Sequence, residues 1–130
     1  MKTKHITVLA LLLASLLTMT VERGFSQSAE SRVVRIAEIE VYPDHVDAYK
    51  AALKEEIAES IRTEPGVLTL LAVSLKGHPE QIRLFETYLN AAAYEAHLQS
   101  PHFTKYKEQT TQMVKSLKLI ETDPILLGSK

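Results

Sequence analysis

The sequence predicts an α+β domain of β-α-β-β-α-β order, a four-stranded antiparallel sheet with both helical segments on one face. Three observations carry that prediction. From Ala37 to Val41, apolar residues alternate with Glu38 and Glu40, the period of a half-buried strand. Val46, Tyr49, Leu53, Ile57 and Ile61 then recur at spacings of three and four, which puts them on one face of a helix. After Glu64-Pro65-Gly66, the run from Val67 to Leu75 is apolar on both faces, as suits a strand covered on both sides.

The elements follow in order. Val33 to Val41 predicts the first strand, ended by Tyr42-Pro43-Asp44, with Asp44 placed to cap a helix from His45 to Arg62. Lys50, Lys54, Glu55 and Glu59 lie off its apolar stripe. Lys76-Gly77-His78-Pro79 predicts a turn into a third strand, Gln81 to Tyr88, antiparallel to the second. Asn90 is placed to cap a short helix, Ala91 to Gln99. Ser100-Pro101 starts another, with Ser as cap and Pro as first helical residue, running to about Val114. Leu117 to Thr122 predicts the last strand, closed by Asp123-Pro124.

Residues 1–26 stand apart from this domain. Lys2 and Lys4 precede an almost wholly apolar stretch from Ile6 to Leu17, and Gly24-Phe25-Ser26 offers small residues for a cut before Gln27. That layout is a secretory signal, and the apolar run is shorter than the roughly 20 residues a spanning helix needs. The expectation is an exported domain, residues 32–128, periplasmic or secreted, with no stable membrane span after cleavage.

Residues 27–130 hold 12 Lys+Arg against 15 Asp+Glu, a net charge of −3. Phosphate backbones demand a basic face, so nucleic acid is not an expected partner. The absence of cysteine excludes disulfides, thioether-linked haem and thiolate metal sites. A domain of this size has a limited core, and a strand apolar on both faces needs a second cover. A two-fold homodimer with sheets facing supplies it.

No Gly-rich phosphate loop, Gly-x-Ser-x-Gly elbow or His-Glu-x-x-His helix is present, so no organic cofactor held by such a loop is expected. Side chains suited to chemistry gather instead between Tyr94 and Tyr106. Tyr94 and His97 are three apart on one helix, and His102 and Tyr106 are four apart on the next, so each pair shares a face. His97 and His102 are the candidate proton acceptors, because imidazole changes charge near neutral pH. Spacing alone fits core packing of the tyrosines and a capping histidine equally well. A metal site is not expected: His97 and His102 are five apart across a helix break, and the nearby Glu95 and Glu108 need not converge with them. Glu86 and Tyr88 share a strand face with Ile82 and Leu84. A carboxylate on such a face marks either a pocket or an interface. Arg35 lies in phase with Ala37 and Ile39.

The segment Phe85-Glu86-Thr87-Tyr88, followed by Ala93-Tyr94-Glu95-Ala96-His97-Leu98-Gln99-Ser100-Pro101-His102-Phe103, resembles the antibiotic biosynthesis monooxygenase family, in particular its small quinol-monooxygenase-like members. Ala37-Glu38-Ile39, Pro43 and Glu64-Pro65-Gly66 fit too, and the resemblance runs from about Val33 to Leu126. It implies a ferredoxin-like fold paired through its sheets into a dimeric α/β barrel, with a pocket between sheet and helices. It implies a cofactor-independent monooxygenase that acts with O2 on a small quinol-like or phenolic substrate. His97 or His102 would be the general base, and Tyr94, Tyr106, Glu86, Tyr88 and Phe103 would bind the aromatic substrate. Other members degrade haem with the help of a Trp, which this chain lacks, or isomerise a sugar phosphate. A non-catalytic small-molecule-binding or stress-response module of the same fold is the competing reading.

Overall fold

The computed structural model describes residues 31–128. Residues 1–26, read from the sequence as a secretory signal, lie outside the described residues. The elements are β1 (Val33–Val41), a 3-10 turn (Pro43–His45), α1 (Val46–Thr63), β2 (Val67–Leu75), β3 (His78–Tyr88), α2 (Ala91–Leu98), α3 (Pro101–Thr110) and β4 (Val114–Thr122). All strand pairs are antiparallel, in the order β2-β3-β1-β4. The architecture is the expected ferredoxin-like one. Within one chain the sheet stays open, with β2 and β4 as edges. Among the described residues, no helix is long and apolar enough to cross a membrane.

Residue alternation sorts the sheet into two faces. Ala37, Ile39 and Val41 of β1 and Ile82 and Leu84 of β3 form the core with Val46, Tyr49 and Leu53 of α1. Truncating Leu53 to Ala is expected to cost about 2–5 kcal/mol, read as a shift in the urea midpoint. The opposite face carries Ile36, its partner Phe85, and Phe85's other neighbour Leu71. Leu71 is 53% exposed and Phe85 42% exposed, on a face that no helix covers among the described residues.

Four local expectations shift. Asp44 does not cap α1; it sits inside the 3-10 turn, and His45 occupies the N-cap without a side-chain bond. The inward stripe of α1 runs Val46, Tyr49, Leu53, Glu56 and Ser60, while Ile61 is 50% exposed. Strict alternation of three and four turns the buried centre of the helix toward Glu56 and Ser60; Ile57 still packs against the core as expected, and Ile61 does not. β3 begins at His78, since only Lys76 and Gly77 are needed for the turn, Gly77 at φ +82°. Pro79 lies beyond Gln81, the last β3 residue paired with β1, so its missing N–H removes no rung there. Finally, α3 stops at Thr110, and Val114 belongs to β4, where it pairs with Val41.

The helix starts after β3 follow their cap residues. Asn90 Oδ1 accepts from the Ala93 N–H at 2.8 Å, and Ser100 Oγ accepts from the Phe103 N–H at 3.2 Å. Replacing Ser100 by Ala is expected to cost about 1 kcal/mol. Gly66 sits against α2 so closely that an added Cβ would lie 2.5 Å from the Ala93 Cβ. Gly66→Ala must therefore push the turn off α2. The expected destabilisation is about 1–3 kcal/mol, measured by thermal or urea unfolding.

Candidate active site

The helix-side face of β4 is left partly uncovered. Leu117 and Leu119 pair with Ile39 and Ala37, yet are 46% and 50% exposed. The gap between them and the helices α2 and α3 is a cleft of about 100 Å³. Leu84 and Leu119 give it an apolar floor. Tyr88, Tyr94, His97, Phe103 and Tyr106 form an aromatic wall, and Glu86 is the carboxylate that lines it. The rings meet in series in edge-on or tilted contacts: Tyr94 with Tyr88 (5.1 Å between centroids), Tyr88 with His97 (5.3 Å), His97 with Phe103 (4.9 Å) and Phe103 with Tyr106 (6.0 Å). A wider hollow of about 530 Å³ adjoins it, shares Tyr94, and is walled by Arg35 and Glu121.

Glu86 faces the helices because it is two residues from both Leu84 and Tyr88 on β3. Tyr88 Oη donates to Glu86 Oε2 at 3.0 Å. Burial pushes the Glu86 carboxyl above the usual carboxylate range, outweighing the Tyr88 hydrogen bond and the charges of His97 and Arg35. The Tyr88 hydroxyl is itself driven well above the tyrosine range by burial and by the Glu86 charge. Arg35 is the cross-strand partner of both Glu86 and Glu121. Its guanidinium lies over the Tyr94 ring, 4.5 Å from the centroid, 3.6 Å from Glu121, and its buried Nε–H has no hydrogen-bond partner among the described residues. A buried donor left this way is available to a ligand's negative oxygen.

The two histidines meet, but not inside the cleft. His97 presents its ring to the cleft and its nitrogens elsewhere: Nδ1 lies 3.0 Å from Glu64 Oε1, and Nε2 lies 3.6 Å from Glu56 Oε1. His102 Nε2 is hydrogen-bonded to the same Glu64 oxygen. His102 lines a separate small cavity of about 70 Å³ between α1 and α3, together with Glu56. Burial would raise the Glu64 carboxyl, but hydrogen bonds from His102 and His97 hold it below the usual range. Burial pushes the Glu56 carboxyl up, against the hydrogen bond donated by Ser60 Oγ at 2.7 Å.

Of the residues read from the sequence, Glu86, Tyr88, Tyr94, His97, Phe103 and Tyr106 are brought to one cleft, and His102 is not. Tyr106 is also hydrogen-bonded through its hydroxyl to Tyr49, which holds the inner end of the wall. Sequence reasoning missed Glu56 and Glu64. Glu56 was legible, since it continues the three-four spacing of the α1 stripe. Glu64 was read only as part of a helix stop. The backbone there is extended, as the residue before Pro65 must be, and so its carboxylate reaches toward α2.

Comparison with known proteins agrees with this architecture. The sequence profile for antibiotic biosynthesis monooxygenases matches residues 32–109. A crystal structure from Bacteroides thetaiotaomicron, provisionally named an antibiotic biosynthesis monooxygenase, is 46% identical. It covers 78% of this chain and 97% of its own, with a TM-score of 0.75. A provisionally named monooxygenase from Lactobacillus acidophilus is 30% identical over 69% of this chain and 43% of its own, with a TM-score of 0.68. An uncharacterised Synechocystis protein is 26% identical over 105 residues, 76% of this chain and 71% of its own. With the profile spanning more than half of the sequence, this chain belongs to the antibiotic biosynthesis monooxygenase family.

Proposed function

We propose that the chain is a monooxygenase that oxidises a small phenol or hydroquinone with O2 in the cleft beside Glu86. The observation that carries this reading is a buried carboxylate of raised proton affinity, set in an aromatic-walled pocket of about 100 Å³. Such a group takes a proton from a phenolic hydroxyl more readily than an ordinary glutamate does. Arg35 offers its unpaired Nε–H to the anion formed.

The chemistry balances without a further reductant. Glu86 takes the hydroxyl proton. The phenolate passes one electron to O2, and the radical pair joins in a new ring C–O bond. The O–O bond then breaks as the ring carbon loses its hydrogen, and a quinone and one water leave. A phenol with an open ring position thus gives a quinone, and a hydroquinone gives a hydroxyquinone. The protein supplies proton removal, orientation by Tyr94, Tyr106 and Phe103, and exclusion of water.

Assigning the base to Glu86 differs from the sequence-based expectation of His97 or His102. Both histidines point nitrogens at Glu64, and His97 adds only its ring to the cleft. His97 is therefore proposed as a wall residue that keeps Tyr88 and Phe103 in place. The apolar open face around Ile36, Leu71 and Phe85 supports the proposed homodimer with facing sheets. The signal-like segment supports action outside the cytoplasm.

The test is O2 uptake by the purified protein across a panel of phenols and hydroquinones. Saturable uptake above the autoxidation blank is expected. Uptake no faster than the blank throughout the panel would instead favour a non-catalytic binding module.

A further inference from the structure

Behind the aromatic wall, four titratable side chains converge from separate segments: Glu56 from α1, Glu64 from the turn after it, His97 from α2 and His102 from α3. Glu56, His97 and His102 each place one ligand atom within 4.8 Å of the others. Glu56 and His97 are both only 4% exposed. This cluster lies behind the Glu86 cleft, with Tyr106 lining both the cleft and the Glu56–His102 cavity and the His97 ring lining the cleft.

The spacing within the cluster is not that of a closed hydrogen-bond network. His97 Nε2 stands 3.6 Å from Glu56 Oε1, too far for a hydrogen bond. Two ligands on one zinc, at bonds of about 2.0–2.1 Å and a tetrahedral angle, lie about 3.4 Å apart. Closing from 4.8 Å to that spacing takes up to about 1.4 Å of movement, within the reach of side-chain rotation about the bonds of Glu56 and His102. The 70 Å³ cavity that both residues line gives room for that movement and a path from solvent. The Glu64 carboxylate accepts from His97 Nδ1 at 3.0 Å, which leaves Nε2 turned toward Glu56. A carboxylate that orients a ligating imidazole through its other nitrogen is the recurrent outer partner of zinc-bound histidine.

We propose that Glu56, His97 and His102 form a binding site for a transition-metal dication of the zinc type, with Glu64 as the outer carboxylate that holds the His97 imidazole. Two imidazoles and one carboxylate suit Zn²⁺ and its first-row neighbours, whereas Ca²⁺ and Mg²⁺ take oxygen-rich sets. The site reverses the expectation from sequence. His97 and His102 do converge with acids, but with Glu56 and Glu64 of the first helix and its stop, not with Glu95 or Glu108. The proposal does not depend on the oxygenase reading, and its test measures binding alone.

The full chain, stripped with chelator, is titrated with Zn²⁺ by calorimetry, with bound metal counted by elemental analysis. One zinc per chain is expected at this site. His102→Gln and Glu56→Gln should each abolish it, and Glu64→Gln should weaken it by about 10- to 100-fold. His78→Ala should leave it unchanged. No zinc binding by the wild-type chain, or binding that survives His102→Gln or Glu56→Gln, overturns the proposal. Should those variants fail to fold, NMR of the wild-type chain decides. Zn²⁺ should perturb the ring signals of His97 and His102 and leave those of His45 and His78 in place; the reverse pattern overturns the site.

Discussion

Replacing Glu86 with Gln is expected to lower turnover by about 10²- to 10⁴-fold, the usual contribution of a positioned general base. Glutamine keeps the shape of the side chain and can still accept from Tyr88, but cannot take a proton. Stability should move the other way. The folded-state proton affinity of Glu86 is raised, so its folding contribution is fully present at low pH. It is lost as pH rises from the unfolded carboxyl range through the folded one. Above that folded-state range the wild-type protein carries a buried charge that Glu86→Gln removes, and there the melting temperature of the variant should equal or exceed that of wild type. A variant that is inactive and unfolded together would point to a structural role instead.

The same shift sets a pH dependence. Only the deprotonated carboxylate accepts a proton, so kcat/KM should rise with pH through the Glu86 transition and then level. The acid limb should lie above the usual carboxylate range. The groups that tune it are Tyr88 on its own strand, Arg35 of β1, His97 and Glu56. Arg35→Gln removes a nearby positive charge, so it should move the acid limb further up. An unmoved limb would separate Arg35 from the base.

Charging the open sheet face is expected to halve the particle mass. Leu71 and Phe85 are cross-strand partners on the face opposite the helices, and both are half exposed. Leu71→Glu with Phe85→Glu would put four carboxylates into a facing-sheet interface, where like charges taken out of water cost far more than in solvent. Light scattering should give a dimer for the wild type and a monomer for the double variant. The wild-type melting temperature should also rise with protein concentration, and that of the variant should not. Equal masses for the two proteins would mean that this face is not the contact.

The split βαβ order was legible because each element carries a strong local signal. Ala37 to Val41 alternates with period two, and Asn90 and Ser100-Pro101 mark helix starts by side-chain chemistry that acts within one turn. The aromatic wall was legible for the same reason, since Tyr94, His97, Phe103 and Tyr106 lie within thirteen residues of one another. What local reading could not supply was direction in space. The α1 stripe continues through Glu56 and Ser60, which an apolar template rejects in favour of Ile57 and Ile61. Glu64 joins His97 and His102 across 33 and 38 residues, a convergence that only the packing of α1 against α2 and α3 brings about. Val114 looked helical by its neighbours but is held by its pairing with Val41, a tertiary contact that overrides local preference.

The most direct measurement is the fate of labelled oxygen. A phenol that shows saturable uptake is turned over under ¹⁸O2, and the quenched product is weighed beside a Glu86→Gln control. One ¹⁸O atom in the quinone and the other in water, with formation of labelled product lost in the variant, is the predicted result. Unlabelled product with hydrogen peroxide accumulating, or labelled product formed equally fast by the variant, would contradict oxygenation at the Glu86 cleft.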